Sequence, residues 1–127
     1  MLSSSGSDRA QKNAERLYAM PFGKLYPALV AKAERKGRTR AEVDEVTCWL
    51  TGHDADSLAA TLAAGTPVEE FFARAPQPNP RRELITGTVC GVRVEEVEDP
   101  RMKSIRQLDK LVDELAKGWA MEKVLRR

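Results

Sequence analysis

Between residues 37 and 69 the chain repeatedly signals the end of one helix and the start of another. Gly37 is followed by Thr39 and, three residues on, Glu42, a pair whose side chains can each bond the other's backbone N–H in a capping box. Gly52 precedes the N-cap residue Asp54, and Gly65 precedes Thr66-Pro67-Val68-Glu69, a second capping box with proline at the first helical position. Punctuation this dense allows only short helices, and short helices are stable only when packed on one another. The apolar spacing agrees. Leu25, Leu29 and Ala33 recur at helical intervals, as do Val43, Val46 and Leu50 beside Trp49, then Leu58 and Leu62, with Phe71 and Phe72 behind the last cap. Pro27 belongs in a first turn.

Leu, Ile, Val and Phe together supply only 27 of 127 residues, while alanine alone supplies 16. A core is possible, but an alanine-padded one, which favours helices over sheets. The length suits one ordinary domain. Met1–Asp8 is Ser-rich, residues 9–19 offer only Leu17 and Tyr18 as anchors, and Pro21 and Gly23 then break the chain before Lys24. The expected organisation is a flexible extension over 1–19 and a single helical domain over 20–127. No apolar run reaches membrane-spanning length and there is no signal-peptide core, so a cytoplasmic protein without membrane contact is expected.

Toward the C-terminus, Asp99-Pro100 starts the clearest helix. Met102, Ile105, Leu108, Val112 and Leu115 share one face, with Lys103, Arg106, Lys110 and Asp113 toward water and Gly118 as the end. Residues 81–94 are ambiguous. Ile85, Val89 and Val92 fit a helix started by Asn79-Pro80, whereas LITGTV–CG–VRVEEV fits a hairpin turning at Cys90-Gly91. A lone hairpin has no third strand to cover its face, which favours the helix. The expected fold is all-α, a compact bundle of five to six short helices around Trp49, Leu50, Leu29, Phe71, Ile105, Leu108 and Val112. The alternative is α+β with a hairpin around residues 84–97.

The net charge is only +2, but its distribution is uneven. Residues 24–40 carry six bases against Glu34, and residues 41–80 carry seven acids against Arg74. Lys32, Arg35, Lys36, Arg38 and Arg40 crowd around Gly37, between two helices, in the outline of a helix-turn-helix. The second helix is acidic at Glu42, Asp44 and Glu45, where base-reading residues would stand. The basic turn therefore suits an acidic protein, or nucleic acid bound without sequence preference.

Catalytic chemistry finds little support. Cys48 and His53 lie five positions apart around a helix end and need not face each other, and both cysteines read as small packed residues rather than a disulfide. Zinc would have to be completed by carboxylates, because His53 is the single histidine and no CxxC pair exists. The acid pairs Asp44/Glu45, Asp54/Asp56, Glu69/Glu70 and Glu95/Glu96 lie where capping explains them. Gly87–Gly91 lacks the lysine and glycine pattern of a phosphate-binding loop, and no cofactor is expected.

The strings MPFGKLYPALVAKAERKGRTRAEVDEVTCWLTG, LITGTVCGVRVEEVED (84–99) and RQLDKLVDELAKGWAMEKVL (106–125) resemble, in the same order, a small bacterial family known as domain-of-unknown-function family 2200. The resemblance covers roughly residues 20–127 and implies a bacterial cytosolic protein of one small domain, with no assigned activity, cofactor or catalytic residue. His53 departs from the family pattern, which carries tyrosine after the TG. The reading is a non-enzymatic interaction module using the basic helix-turn surface. The alternative is a small enzyme with a Cys/Arg/carboxylate site around Cys90 and Arg93.

Overall fold

The structure, a computed structural model, describes residues 5–127, with side chains from Arg9 onward. Seven α-helices run in chain order: α1 (Ser5–Ala19), α2 (Phe22–Glu34), α3 (Arg40–Thr51), α4 (Ala55–Ala63), α5 (Val68–Ala73), α6 (Pro100–Ala116) and α7 (Met121–Val124). Between α5 and α6 lie a 3-10 turn (Pro80–Leu84), a hairpin of β1 (Thr88–Val89) and β2 (Val92–Arg93), and a second 3-10 turn (Val94–Glu96). The fold is a compact, mostly helical bundle.

Helix α6 is its axis, with α2, α3, α5, α7 and the hairpin packed around it. Asp99 caps its start by accepting from the Arg101 N–H, and Pro100 occupies the first turn. From Ile105 to Leu115 nearly every residue is buried, including Gln107, Asp109, Lys110 and Glu114. The two-faced helix expected from the spacing is therefore enclosed all round, and Lys110 does not face water. Most of its buried polar groups are tolerable because they find partners: Gln107 donates to the Arg82 carbonyl and Lys110 to that of Thr88, each at 3.3 Å.

The punctuation signals are realised with one exception. Thr39 and Glu42 form the capping box of α3, and Gly52 ends it at φ +82°. Asp54 caps α4 with Ser57 as its reciprocal partner. Thr66 does not cap α5. Its carbonyl accepts from the Phe22 N–H at 2.8 Å, and the Val68 N–H donates to the Met20 carbonyl, so the chain before α2 is stitched to the chain before α5. That stitch lets α2 start at Phe22, which puts Pro27 inside the helix.

Residues 1–4, part of the stretch expected to be disordered, lie outside the described residues. The extension expected over 1–19 is helical from Ser5, and its end is anchored. Tyr18 is 3% exposed within the core, and the Arg101 guanidinium lies 4.0 Å above its ring. The helix expected over 81–94 is absent. Gly87, Cys90 and Gly91 all have positive φ, which no α-helix accommodates, and the hairpin covers its apolar face with α6 instead of a third strand. Leu29, Leu50, Phe71, Ile105, Leu108 and Val112 are buried as expected. Trp49 is only half-buried at the core's edge; the α3 positions that point inward are Val43, Val46, Thr47, Leu50 and Thr51. The enclosed aromatic centre is Phe22 stacked on Phe71 at 3.8 Å, with Tyr26 beside it. Among the described residues no helix is long and apolar enough to cross a membrane.

Candidate functional site

The five bases around Gly37 separate into two groups. Helix α2 closes on Gly37 at φ +83°, with Gly37 N–H donating to Glu34 and Arg38 N–H to Ala33, each at 3.0 Å. This fixes Arg38, whose guanidinium donates to Glu42 at 2.7 Å and to the carbonyls of Trp119 and Leu115 at 2.7 and 3.2 Å. The Leu115 carbonyl lies in the last turn of α6, so Arg38 faces the negative pole of the central helix, and the Trp119 carbonyl lies just beyond it. The hydrogen bond from Arg38 to Glu42, set against partial burial, holds that carboxyl below its ordinary range. Lys32 is likewise occupied, reaching Asp109 at 3.3 Å and Asp113 at 3.5 Å on α6.

Arg35, Lys36 and Arg40 are exposed. Among the described residues Arg35 and Lys36 have no carboxylate within ion-pair distance, and Arg40 has only a long contact of 3.9 Å to Asp44. The free charge of the basic turn is thus these three side chains, held outward by the two that are tied down.

Behind Lys32 lies a charged stripe, of which the sequence pattern alone assigns Arg106, Lys110 and Asp113 to water. Arg106, Asp109, Lys110, Asp113 and Lys117 follow one another at helical spacing along α6 and its end, and that spacing is the signal by which it could have been found. Asp113 lies 2.9 Å from Lys117. Burial pushes its carboxyl up, but the hydrogen bond from Lys117 and the charges of Lys32, Lys117 and Lys110 hold it below the usual carboxylate range. Asp109 accepts from Lys32 on one oxygen at 3.3 Å and from Arg106 and Cys90 on the other, at 3.3 and 3.2 Å.

Cys90 therefore does meet a carboxylate and an arginine, but the arginine is Arg106. Arg93 is exposed and paired with Glu96 at 3.4 Å. The thiol donates to Asp109, and that hydrogen bond, with burial and the carboxylate's charge, raises its pKa despite Lys32 and Arg106. A thiol held protonated is a poor nucleophile. Cys48 is also raised, by burial. His53 is turned away from it: its Nδ1 lies 2.9 Å from the Ser57 hydroxyl and its ring stacks on Phe71 at 5.2 Å. The carboxylate pairs do structural work. Asp54 accepts from Ser57 N–H, which lowers its pKa, Asp44 accepts from the Tyr26 hydroxyl, and Glu95 accepts from Gly87 N–H at 2.9 Å.

A family model described as an uncharacterised protein conserved in bacteria, DUF2200, matches residues 16–126. The crystal structure of the uncharacterised protein SP1917 matches with 48% identity and a TM-score of 0.83, over 88% of this chain and 92% of that one. No curated protein matches. The family match reaches back into α1, consistent with the anchoring of Tyr18. The chain belongs to the DUF2200 family of conserved bacterial proteins.

Proposed function

We propose that the protein is a non-enzymatic interaction module that contacts an acidic protein through the turn between α2 and α3. The supporting observation is the division of labour among the five bases. Lys32 and Arg38 are held by α6 and Glu42, and Arg35, Lys36 and Arg40 project around them with at most one weak ion pair. Exposed, unpaired charge on a rigid turn costs little fold stability and speeds encounter with an oppositely charged surface. Glu42, Asp44 and Glu45 on α3 disfavour a phosphate backbone running along the same face, so protein is preferred over nucleic acid as the partner.

The test is the double reversal Arg35→Glu with Lys36→Glu. Because neither side chain has a partner among the described residues, the melting temperature should be nearly unchanged. Capture of acidic proteins from a nuclease-treated bacterial lysate should be lost, and binding by the native chain should weaken steeply with salt. Recovery of the same proteins by the reversed variant would remove the basic turn from any interaction. Loss of binding on nuclease treatment alone would make nucleic acid the partner.

A further inference from the structure

A cleft of about 420 Å³ opens between α2, α3 and α4. Its bed is apolar: Tyr26, Pro27 and Val30 recur along one face of α2, with Leu62 of α4 beside them. The bed is also rigid, since the Tyr26 hydroxyl is held by Asp44 and Thr47 and Pro27 sits inside the helix with a fixed φ. Two charged side chains share the cleft. Glu34 lies one turn beyond Val30 on the same face, exposed and with no cation within ion-pair distance among the described residues. Arg40 lies over the bed, its guanidinium 5.9 Å from the centre of the Tyr26 ring, and its contact to Asp44 is long, at 3.9 Å. Although opposite in sign, Glu34 and Arg40 do not pair with each other. Leu62 marks the other end. Its carbonyl stands beside Gly23, where an added Cβ would meet it at 2.9 Å, and Gly23 precedes Glu34 by eleven residues, about 16 Å of helix. The cleft therefore has a charged end and an apolar end.

We propose that this cleft binds a free α-amino acid with a large apolar side chain, its ammonium on Glu34, its carboxylate on Arg40 and its side chain running toward Leu62. The class follows from the charges. A simple acid or amine would meet one of them and leave the other open, and a residue inside a peptide carries neither terminal charge. A head with both signs on one carbon satisfies the two together. The volume lies within the roughly 300–1,000 Å³ of small-molecule sites, whose usual lining is an apolar bed with a few polar groups that fix orientation. The length of the apolar end favours an aromatic or long aliphatic side chain. Arg40 also belongs to the exposed bases of the turn, but the site uses neither Arg35 nor Lys36 and stands whether or not the turn binds a protein.

L-Phenylalanine is the probe, titrated into the full chain by melting temperature and by two-dimensional amide NMR. It should raise the melting temperature with concentration and shift the amides around Val30, Glu34, Arg40 and Leu62, as a ligand of the native state must. Phenylpropionate lacks the ammonium, phenethylamine lacks the carboxylate and glycine lacks the side chain, so each should bind more weakly. Glu34→Gln should weaken phenylalanine about fivefold, the upper end for a solvent-exposed ion pair, and leave phenylpropionate unchanged. Arg40→Gln should weaken phenylalanine to the same degree and leave phenethylamine unchanged. Leu62→Trp fills the apolar end and should abolish the shifts. Arg35→Glu with Lys36→Glu, the variant that tests protein binding, should take up phenylalanine like the native chain. The proposal fails if phenylalanine gives no shifts, if either singly charged analogue matches it, or if the Arg35 and Lys36 reversals abolish its binding. It also fails if Glu34→Gln and Arg40→Gln both bind phenylalanine like the native chain, a result that holds even if Leu62→Trp does not fold, because both side chains are exposed.

Discussion

Arg38 comes directly after the left-handed glycine that closes α2, so its backbone N–H ends one helix while its guanidinium caps another. Only 16% of its side chain is exposed, and its removal takes the charged donor from Glu42 and from the carbonyls of Leu115 and Trp119. Charge-assisted hydrogen bonds contribute about 1.5–3 kcal/mol each, and they share one side chain here, so Arg38→Ala should cost about 2–3 kcal/mol in urea denaturation. Arg35→Ala, three residues earlier and unpartnered, should stay within about 0.5 kcal/mol. Equal effects of the two substitutions would contradict the division of the basic turn into tied and free side chains. His53 makes a pH prediction at the same scale. Burial against Phe71 lowers its pKa, with Asp54 pulling the other way. The unfolded chain then holds the proton more tightly than the native one. Stability should be complete above the ordinary histidine value of about 6.5 and should decline as pH falls through the lowered one. Melting temperatures across that window should slope for the native chain and flatten for His53→Gln.

At the scale of elements, the joint between α3 and the proline-rich loop is backbone against backbone. Gly52 has φ +82°, and a Cβ built on it would lie 2.6 Å from the Gln77 nitrogen and 2.7 Å from its carbonyl oxygen. That loop is held by Gln77 N–H to the Thr51 carbonyl and Asn79 N–H to that of Leu50, at 3.0 and 3.1 Å, so it has no cheap way to move. Gly52→Ala therefore combines left-handed strain of about 1–2 kcal/mol with an unrelievable overlap. Gly37→Ala carries the same strain in open space. The difference between their melting temperatures measures the overlap alone, and Gly52→Ala should be clearly the lower. Both glycines were legible as stop signals, as were the caps at Thr39 and Asp54, because those signals are local. The hairpin was legible only as the alternative. Ile85, Val89 and Val92 fit a helix while the run on either side of Cys90-Gly91 fits a hairpin, and what decides between them is α6, which begins beyond the segment. Thr66 misled for the same reason: its capping pattern is intact, but its neighbour across the fold is Phe22. The basic turn was visible in the sequence as a cluster, but which of its five bases are free depends on where α6 ends.

For the molecule as a whole, enclosure of α6 explains the buried charges that a two-faced helix would have left in water. The extreme case is Glu114, wholly buried, whose carboxylate is clasped by Arg126 near the C-terminus, with the second contact at 2.9 Å. Arg126 also donates to the Val124 carbonyl, and its own carbonyl accepts from Arg81, so the last turn of the chain is locked over α6 and the first 3-10 turn. Deleting Arg126 and Arg127 leaves Glu114 charged, buried and alone. Breaking a buried pair in this way costs about 3–5 kcal/mol, whereas replacing both partners by apolar side chains of similar size is often close to neutral. The truncated chain should therefore unfold at markedly lower urea. Glu114→Leu introduced into the truncated chain should recover most of the loss, because the uncompensated charge is gone and an apolar side chain fills its place. Recovery by Glu114→Leu would establish that the C-terminal clasp acts by neutralising Glu114. Its failure would mean that the packing of α7 and the bonds to Val124 and Arg81 carry the stability instead.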